Sequence, residues 1–573
     1  MLTIPCLIPY ALLMPSNAVR FTGLTAILSI VLAIAAYFFA LGSDHAATNG
    51  DELLYAQITR LTAETGQWLP LQSEVERHRN TKPPALFWQG IASTDWGAHY
   101  ELWRLRYPSV LYTLGIAVMV FLIGRKLGGT ASTGLLAALV YLAFFGTYRY
   151  GRVFLTSAPE TFWLFLPFCL LLLRQRPLAP IGWGWAAAFG LMFGLAMLYK
   201  SFALAVPGAV GLAWWTLHSR GYRIADWFKT DAPQIILTSI VSLGVFSLWY
   251  VLDPQRHLIL ADFVLDENVG KFNTEGENYF ANLLWGGSSI WRNVVSYPIN
   301  AGLLAPAVIA VFVLGFLRRQ EMPGHEKLLW FWLMTLFVVF SLPNQRDERY
   351  LLPGMPALAV LCALYWTRIP AWLLGISLFA VAVIAFGMGW GGLLLTRDLA
   401  EGPLYPWYFW GFLVLLIGFT LFAFVRRHPI RAAVAPAVLM LYLAFALFLI
   451  PFDGPRGTFD HAAQNFARGK TFPAPINFGA REEIYRFLLP GSDPQPYKIK
   501  KTPSLDELRQ TNELFIVTVA LGDRIPQNDP RLRIVGSRLQ LIDRFDNEET
   551  MDMLRGNVSR NLFKEDLLVE VKP

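Results

Sequence analysis

Two carboxylates, Asp51 and Glu52, stand side by side in Thr48-Asn49-Gly50-Asp51-Glu52-Leu53-Leu54-Tyr55. A carboxylate at the edge of an apolar region can take a proton from a hydroxyl or help to hold a cation. Its structural alternative is to cap the helix that Leu54, Ile58 and Leu61 mark by their spacing, and the two uses are compatible. Tyr55, in the same segment, is a candidate acceptor-side or cavity residue. Cations follow further along. Lys82 in Asn80-Thr81-Lys82-Pro83-Pro84 sits on backbone that the next proline keeps extended. Lys200 lies in Leu198-Tyr199-Lys200-Ser201-Phe202, and Lys271 closes Asp266-Glu267-Asn268-Val269-Gly270-Lys271. Arg346 and Arg349 occur in Pro343-Asn344-Gln345-Arg346-Asp347-Glu348-Arg349-Tyr350-Leu351-Leu352-Pro353. Any one of these could simply pair with a neighbouring acid, as Arg346 with Asp347 or Glu348. Taken as a set, in short apolar-flanked positions, they suit a phosphate or pyrophosphate headgroup. Arg149 and Arg152 in Tyr148-Arg149-Tyr150-Gly151-Arg152 precede Glu160, which falls inside an apolar run. An ionisable group there costs roughly 2.5–3.5 kcal/mol or more unless it faces a cavity or a partner. Arg149, Arg152 or another basic residue would be that partner.

These residues hang on a strongly apolar chain. Of 573 residues 55% are hydrophobic and 16% charged, against about 25% charged in soluble domains. Thirteen apolar segments of near-membrane length are expected at 22–41, 107–124, 131–148, 153–173, 182–199, 201–217, 233–252, 298–317, 327–342, 350–367, 371–395, 406–425 and 432–451. The fold class is therefore an α-helical polytopic membrane protein. The run near 4–14 reads as interfacial, and 22–41 as a retained first span.

Alternating from a cytoplasmic N-terminus, every inner loop is basic: Arg125 and Lys126; Arg174 and Arg176; Arg220, Arg223 and Lys229; Arg318, Arg319 and Lys327; Arg368; Arg426, Arg427 and Arg431. That satisfies the positive-inside rule and explains the net charge of +7 without nucleic acid. Segments 42–106 and 253–297 become outer loops. The chain divides into a membrane domain, 1–451, and a polar tail, 452–573, on the outer side. Alternation in Leu514-Phe515-Ile516-Val517-Thr518-Val519, with helical patterns at 479–489 and 503–510, reads as a small soluble α/β domain. The three cysteines lie in apolar stretches, which argues against a disulfide or zinc–thiolate site. His78 and His257 have no ligand spacing around them, so no metal site is assigned.

The acidic pair after the first span, Lys82-Pro83-Pro84, the lone Lys200, Asp266-Glu267-Asn268-Val269-Gly270-Lys271-Phe272 and Arg349-Tyr350-Leu351-Leu352-Pro353 together resemble the lipid-linked sugar transferases of the GT-C superfamily. Within it the chain is most similar to the branch with the protein O-mannosyltransferases and the aminoarabinose transferase of lipid A. The resemblance covers essentially the whole chain and implies about thirteen transmembrane helices with a periplasmic C-terminal domain. It implies Asp51, with Glu52 and Glu160, as catalytic carboxylates. It implies Lys82, Lys200, Lys271, Arg346, Arg349 and Tyr350 around the donor phosphate, and Tyr55, Arg149, Arg152, Glu267 and Asn268 around the acceptor or cavity. Ser157 stands where relatives carry an Asp before Ala-Pro, with Glu160 three residues on as its substitute. Thr81 replaces the Glu of the aminoarabinose branch's Glu-Lys-Pro.

The expected function is transfer of a sugar from a polyprenyl-phosphate carrier to lipid A, lipopolysaccharide or another envelope acceptor at the periplasmic face of a bacterial inner membrane. The expected partners are that donor, a lipid or glycan acceptor and the membrane, with the protein a monomer. No cofactor is assigned, and a divalent cation is compatible but not required by a single phosphate. Protein O-glycosyl transfer is the alternative within the class. A transporter or flippase for an anionic lipid is the alternative outside it, and would place its charges nearer the midplane with repeat symmetry. A scaffold whose tail binds a partner is a third.

Overall fold

The computed structural model describes residues 19–45, 50–73, 82–176, 179–272, 278–286, 288–399, 402–426, 430–476, 482–498, 505–521, 531–542 and 546–572. The apolar stretch near 4–14, Asn49, His78 and Thr81 lie outside them.

Each of the thirteen expected apolar segments is helical over most of its length. Among the described residues six helices, or seven counting one bent pair, are long and apolar enough to cross a membrane. The chain is thus a multi-pass membrane protein. The first span is α1 (Gly23–Phe38), begun by Thr22, whose hydroxyl accepts from the Thr25 amide. Two helices of the segment 42–106 follow, α2 (Gly50–Thr65) and α3 (Ala85–Ser93). Then come α4 (Leu102–Gly128), α5 (Ala131–Ala143), α6 (Phe145–Gly151), α7 (Ser157–Leu173), α8 (Trp183–Tyr199) and α9 (Ala205–Ser219). The segment expected as one span over 131–148 is α5 and α6, bent by 66°. The bend puts Arg149 and Arg152 on a different axis from α5.

Small residues let these helices approach closely, as membrane interfaces require. A methyl at Gly134 of α5 would meet the Phe121 carbonyl oxygen of α4 at 2.5 Å. One at Gly190 of α8 would stand 2.7 Å from the Thr238 carbonyl oxygen, on the helix Ala232–Leu252.

The apolar spacing in α2 points inward. Leu54, Tyr55, Ala56 and Ile58 are buried in protein, so the apolar face that Leu54 and Ile58 mark is spent on packing. Asp51 and Glu52 lie in the first turn, where acids favour the helix dipole.

After Leu449 the chain forms a separate small α/β unit. Strands β1 (Thr471–Ile476) and β2 (Asp493–Lys498) pair in parallel. Strands β3 (Leu514–Ala520), β4 (Leu532–Leu541) and β5 (Phe563–Val571) form an antiparallel sheet with β5 in the middle. Central β5 buries Leu567, Leu568 and Val569 on both faces of that sheet. Leu539 and Phe563 join the core of the membrane domain instead, with Phe563 4.1 Å from Phe452, ring to ring.

Candidate active site

An apolar cavity of about 330 Å³ opens where α2, α3, α7 and the Lys200–Leu204 turn meet the segments around Phe263 and Tyr350. Phe202, Val206, Phe272 and Phe340 supply much of its wall. Its polar groups are few: Tyr55, Lys82, Lys200, Asn268, Arg349 and Tyr350 are the sequence-expected residues that line it, joined by Ser157, Ser201 and Gln345. A mostly apolar pocket with a few convergent polar groups is the usual form of a ligand site.

Each cation is brought there by a local device. Pro83 and Pro84 stop the extended chain and start α3 at Ala85, so Lys82 sits at the turn. Lys200 ends α8 as its C-cap, and Ser201 then begins a short 3-10 turn by accepting from the Ala203 amide. The Ser201 hydroxyl also donates to Asn268 Oδ1 at 2.7 Å, and Asn268 Nδ2 donates to the Phe263 carbonyl at 2.7 Å. These bonds lock the π-wound stretch Ile259–Val269 against the cavity. Asp347 caps the 3-10 turn Glu348–Gly354 by accepting from the Arg349 amide at 3.0 Å, which aims Arg349 and Tyr350 inward.

Asp51 meets this set from α2, with Oδ2 3.5 Å from Arg349 Nη1. Arg349 Nε is 3.8 Å from Asp347 Oδ1. Burial opposes the Arg349 charge, but the Asp347 and Asp51 carboxylates outweigh it and hold the guanidinium above its ordinary value. Lys200 Nζ sits 5.1 Å from the centre of the Tyr350 ring, a cation–π contact. Glu160 lies behind it, buried, and is the ion-pair partner of Lys200. Of the partners the sequence left open, it is the other basic residue, Lys200, rather than Arg149 or Arg152, that Glu160 pairs with.

Several expected residues do not join the cavity lining. Glu52 is turned about 100° from Asp51 on the helix and is buried against Arg106, with Arg106 Nε and Nη2 each donating at 2.7 Å to its two oxygens. It also accepts from the Phe154 amide at 2.8 Å, so Glu52 is spent on structure. Arg152 is buried and donates to Tyr148 Oη and to the Tyr37 and Phe39 carbonyls at the end of α1. Arg346 is buried too, donating to the Ser341 and Ser288 carbonyls; burial lowers its proton affinity. Arg149 stacks over Phe145 and Tyr150 and lies within electrostatic reach of Glu348. The side chains of Glu267 and Lys271 are outside the described residues. Among the described residues no group of three or more His, Cys, Asp or Glu side chains could hold a metal ion.

Sequence reasoning missed Arg106, the partner of Glu52, and Arg292. Arg292 Nη2 donates to Glu348 Oε2 at 2.9 Å and lies 3.9 Å from Asp347 Oδ2, which ties the Arg349 turn to the helix Ile290–Ala301. The one available signal for Arg292 was its position as a cation in 253–297, the segment expected on the outer side.

The profile of the dolichyl-phosphate-mannose-protein mannosyltransferase family matches residues 24–256. Two similar relatives are each named undecaprenyl phosphate-alpha-4-amino-4-deoxy-L-arabinose arabinosyl transferase. The one from Edwardsiella ictaluri is 24% identical over 56% of this chain and 55% of its own. The one from Yersinia enterocolitica is 25% identical over 70% of this chain and 72% of its own. The chain therefore spans about half the length of the first relative. The crystal structure of ArnT from Cupriavidus metallidurans bound to undecaprenyl phosphate covers 94% of this chain and 97% of that one, with a TM-score of 0.57 and 15% identity. The chain shares its fold with that ArnT, and its sequence resembles the arabinosyl transferases and, over residues 24–256, the protein mannosyltransferase family.

Proposed function

We propose, with that likeness as premise, that the chain moves a sugar from a polyprenyl-phosphate carrier to an envelope acceptor, lipid A or a lipopolysaccharide glycan foremost. The observation that carries the reading is the meeting of Lys82, Lys200 and Arg349 at one apolar cavity, with Asp51 beside Arg349. An apolar wall suits the isoprenoid chain, and the cations suit the phosphate to which it is joined.

In the reaction the acceptor oxygen attacks the anomeric carbon as the bond from that carbon to the phosphate oxygen breaks. The electron pair leaves on polyprenyl phosphate, whose charge rises. Arg349, Lys200 and Lys82 are placed to stabilise that charge, and donors fixed before the reaction are worth most in a water-poor site. Arg349 turns to the phosphate and gives up part of its contact with Asp51. The freed carboxylate then orients the acceptor, or takes its proton when the acceptor is a hydroxyl. Tyr350 holds the Lys200 ammonium from one side and Glu160 from another.

The basic inner loops support a cytoplasmic N-terminus with the working face and tail in the periplasm. The test is incubation of purified protein with radiolabelled undecaprenyl-phosphate sugar and lipid A. Free undecaprenyl phosphate and labelled lipid A are expected. Label that crosses a vesicle membrane while still joined to its carrier would identify a flippase. Label recovered on protein Ser or Thr would move the acceptor to that class.

A further inference from the structure

The helix that carries Asp51 has two working faces. Tyr55 lines the cavity, and Asp51, one turn ahead of it, stands 3.5 Å from Arg349 of the cavity wall. Leu53, Gln57 and Arg60, at i, i+4 and i+7, lie on the opposite face. There Leu53 packs on the core of the C-terminal domain. Arg60 Nη2 donates to the Arg486 carbonyl at 2.9 Å and Nη1 to the Phe487 carbonyl at 3.3 Å, with the guanidinium 5.6 Å over the Phe487 ring. That is a clasp at the far end of α2.

A second clasp grips the chain just ahead of α2. Asp453 Oδ1 accepts from the Ser43 hydroxyl at 2.9 Å and the Asp44 amide at 3.1 Å, and lies 2.9 Å from His45 Nδ1. His45 Nε2 is 3.1 Å from the Leu539 carbonyl of β4. Arg106 passes the grip to the helix: Nη1 donates to the Ser43 carbonyl at 2.7 Å while its other nitrogens hold Glu52. Between the clasps a cavity of about 370 Å³ separates part of α2 from the domain, with Glu52 and Leu53 on one wall and Ile484 and Leu488 on the other. Over that stretch the packing of α2 on the domain is interrupted, and the polar clasps at its ends add direction to it.

We infer that the C-terminal domain is a positioning element for Asp51: by holding α2 at both ends through Asp453 and Arg60 it sets where that carboxylate stands relative to Arg349 at the cavity. The inference rests on the transferase reading for its effect on turnover, but not for its effect on the helix. The donor-phosphate cations all belong to the membrane domain, so the clasps act on kcat and leave donor affinity alone. A displacement of about 1 Å at a reacting group costs on the order of 100-fold in rate.

The experiment uses the full chain carrying Asp453→Asn, Arg60→Met or Arg60→Lys. It measures kcat and KM with undecaprenyl-phosphate sugar, binding of undecaprenyl phosphate, and amide hydrogen exchange over residues 50–60. Asp453→Asn and Arg60→Met are expected to lower kcat by about 10- to 100-fold, to leave KM and undecaprenyl phosphate binding at wild-type values, and to speed exchange over 50–60. Arg60→Lys, which still reaches one carbonyl, recovers part of the loss. Retained undecaprenyl phosphate binding shows that the membrane domain is folded. Wild-type kcat in both Asp453→Asn and Arg60→Met overturns the inference, as does slowed turnover with unchanged exchange. If the wild type itself releases no undecaprenyl phosphate, the transferase reading has failed. The exchange data still judge the clasps: faster exchange supports them and unchanged exchange overturns them.

Discussion

Lys200 Nζ lies 2.9 Å from each carboxylate oxygen of Glu160, with the carboxylate buried and the lysine lining the cavity. The two ends of this pair have different jobs. Lys200→Met leaves a buried carboxylate without its counter-charge, which costs about 3–5 kcal/mol, and also removes a phosphate ligand. Adding Glu160→Gln to it restores most of the thermal stability but not the activity. Thermal melts beside turnover check this, and a double variant with wild-type turnover would remove Lys200 from the site.

Arg349 stands between the cavity and Asp51. Arg349→Ala is expected to lower kcat by about 100- to 1,000-fold, the usual loss of one preorganised charge donor. Arg349→Lys keeps the charge but not the forked geometry that reaches Asp51 and Asp347 together, so it falls between. Steady-state kinetics on the two variants decide this; equal losses from both would show that geometry, not charge, is what matters.

The wall of the cavity is testable apart from its cations. Val206 is about half exposed and lines the apolar side. Val206→Trp fills space without touching Lys82, Lys200 or Arg349. The expected result is a higher KM for the lipid-linked donor with kcat little changed, the pattern of lost ground-state binding. A lower kcat at unchanged KM would put the isoprenoid chain elsewhere.

Glu348 carries a pH signature. Burial works to raise its carboxyl, but the Arg292 hydrogen bond, its own backbone amide and the Arg292 and Arg149 charges outweigh that and lower it. A depressed carboxylate adds stability above its unfolded value, and that stability is lost as pH falls through the folded value. Glu348→Gln should therefore lower the stability at neutral pH, by no more than about 1 kcal/mol for so exposed a pair. The gap between variant and wild type closes well below pH 4.5, the ordinary value. Melting curves across that range check the sign.

Much of the site was legible in order but not in partnership. Hydropathy placed the helices, and cations on the sparsely charged side singled out Lys82, Lys200 and Arg349. Sequence could not separate Asp51 from Glu52, since neighbours on a helix point about 100° apart and which face meets the cavity is a matter of packing. Nor could it tell a cavity cation from a structural one. Arg152 and Arg346 spend their donors on backbone carbonyls, and every residue offers a carbonyl, so no side-chain pattern marks those partners. The Glu52–Arg106 and Asp51–Arg349 pairs join residues 54 and 298 positions apart, a separation that local spacing does not encode. Glu160 was read as needing a cation, which it has, but the supplier was the lysine at the start of the α8–α9 turn.

The size of the cavity bears on what the protein can measure about its carrier. A volume of about 330 Å³ is that of a drug-sized ligand, enough for a phosphate and the isoprene units next to it. On the transferase reading, the rest of a long polyprenyl tail extends beyond this cavity. Carriers of different length should therefore compete on equal terms once their head ends match, leaving the cell's own lipid pool, rather than this protein, to decide which chain is used.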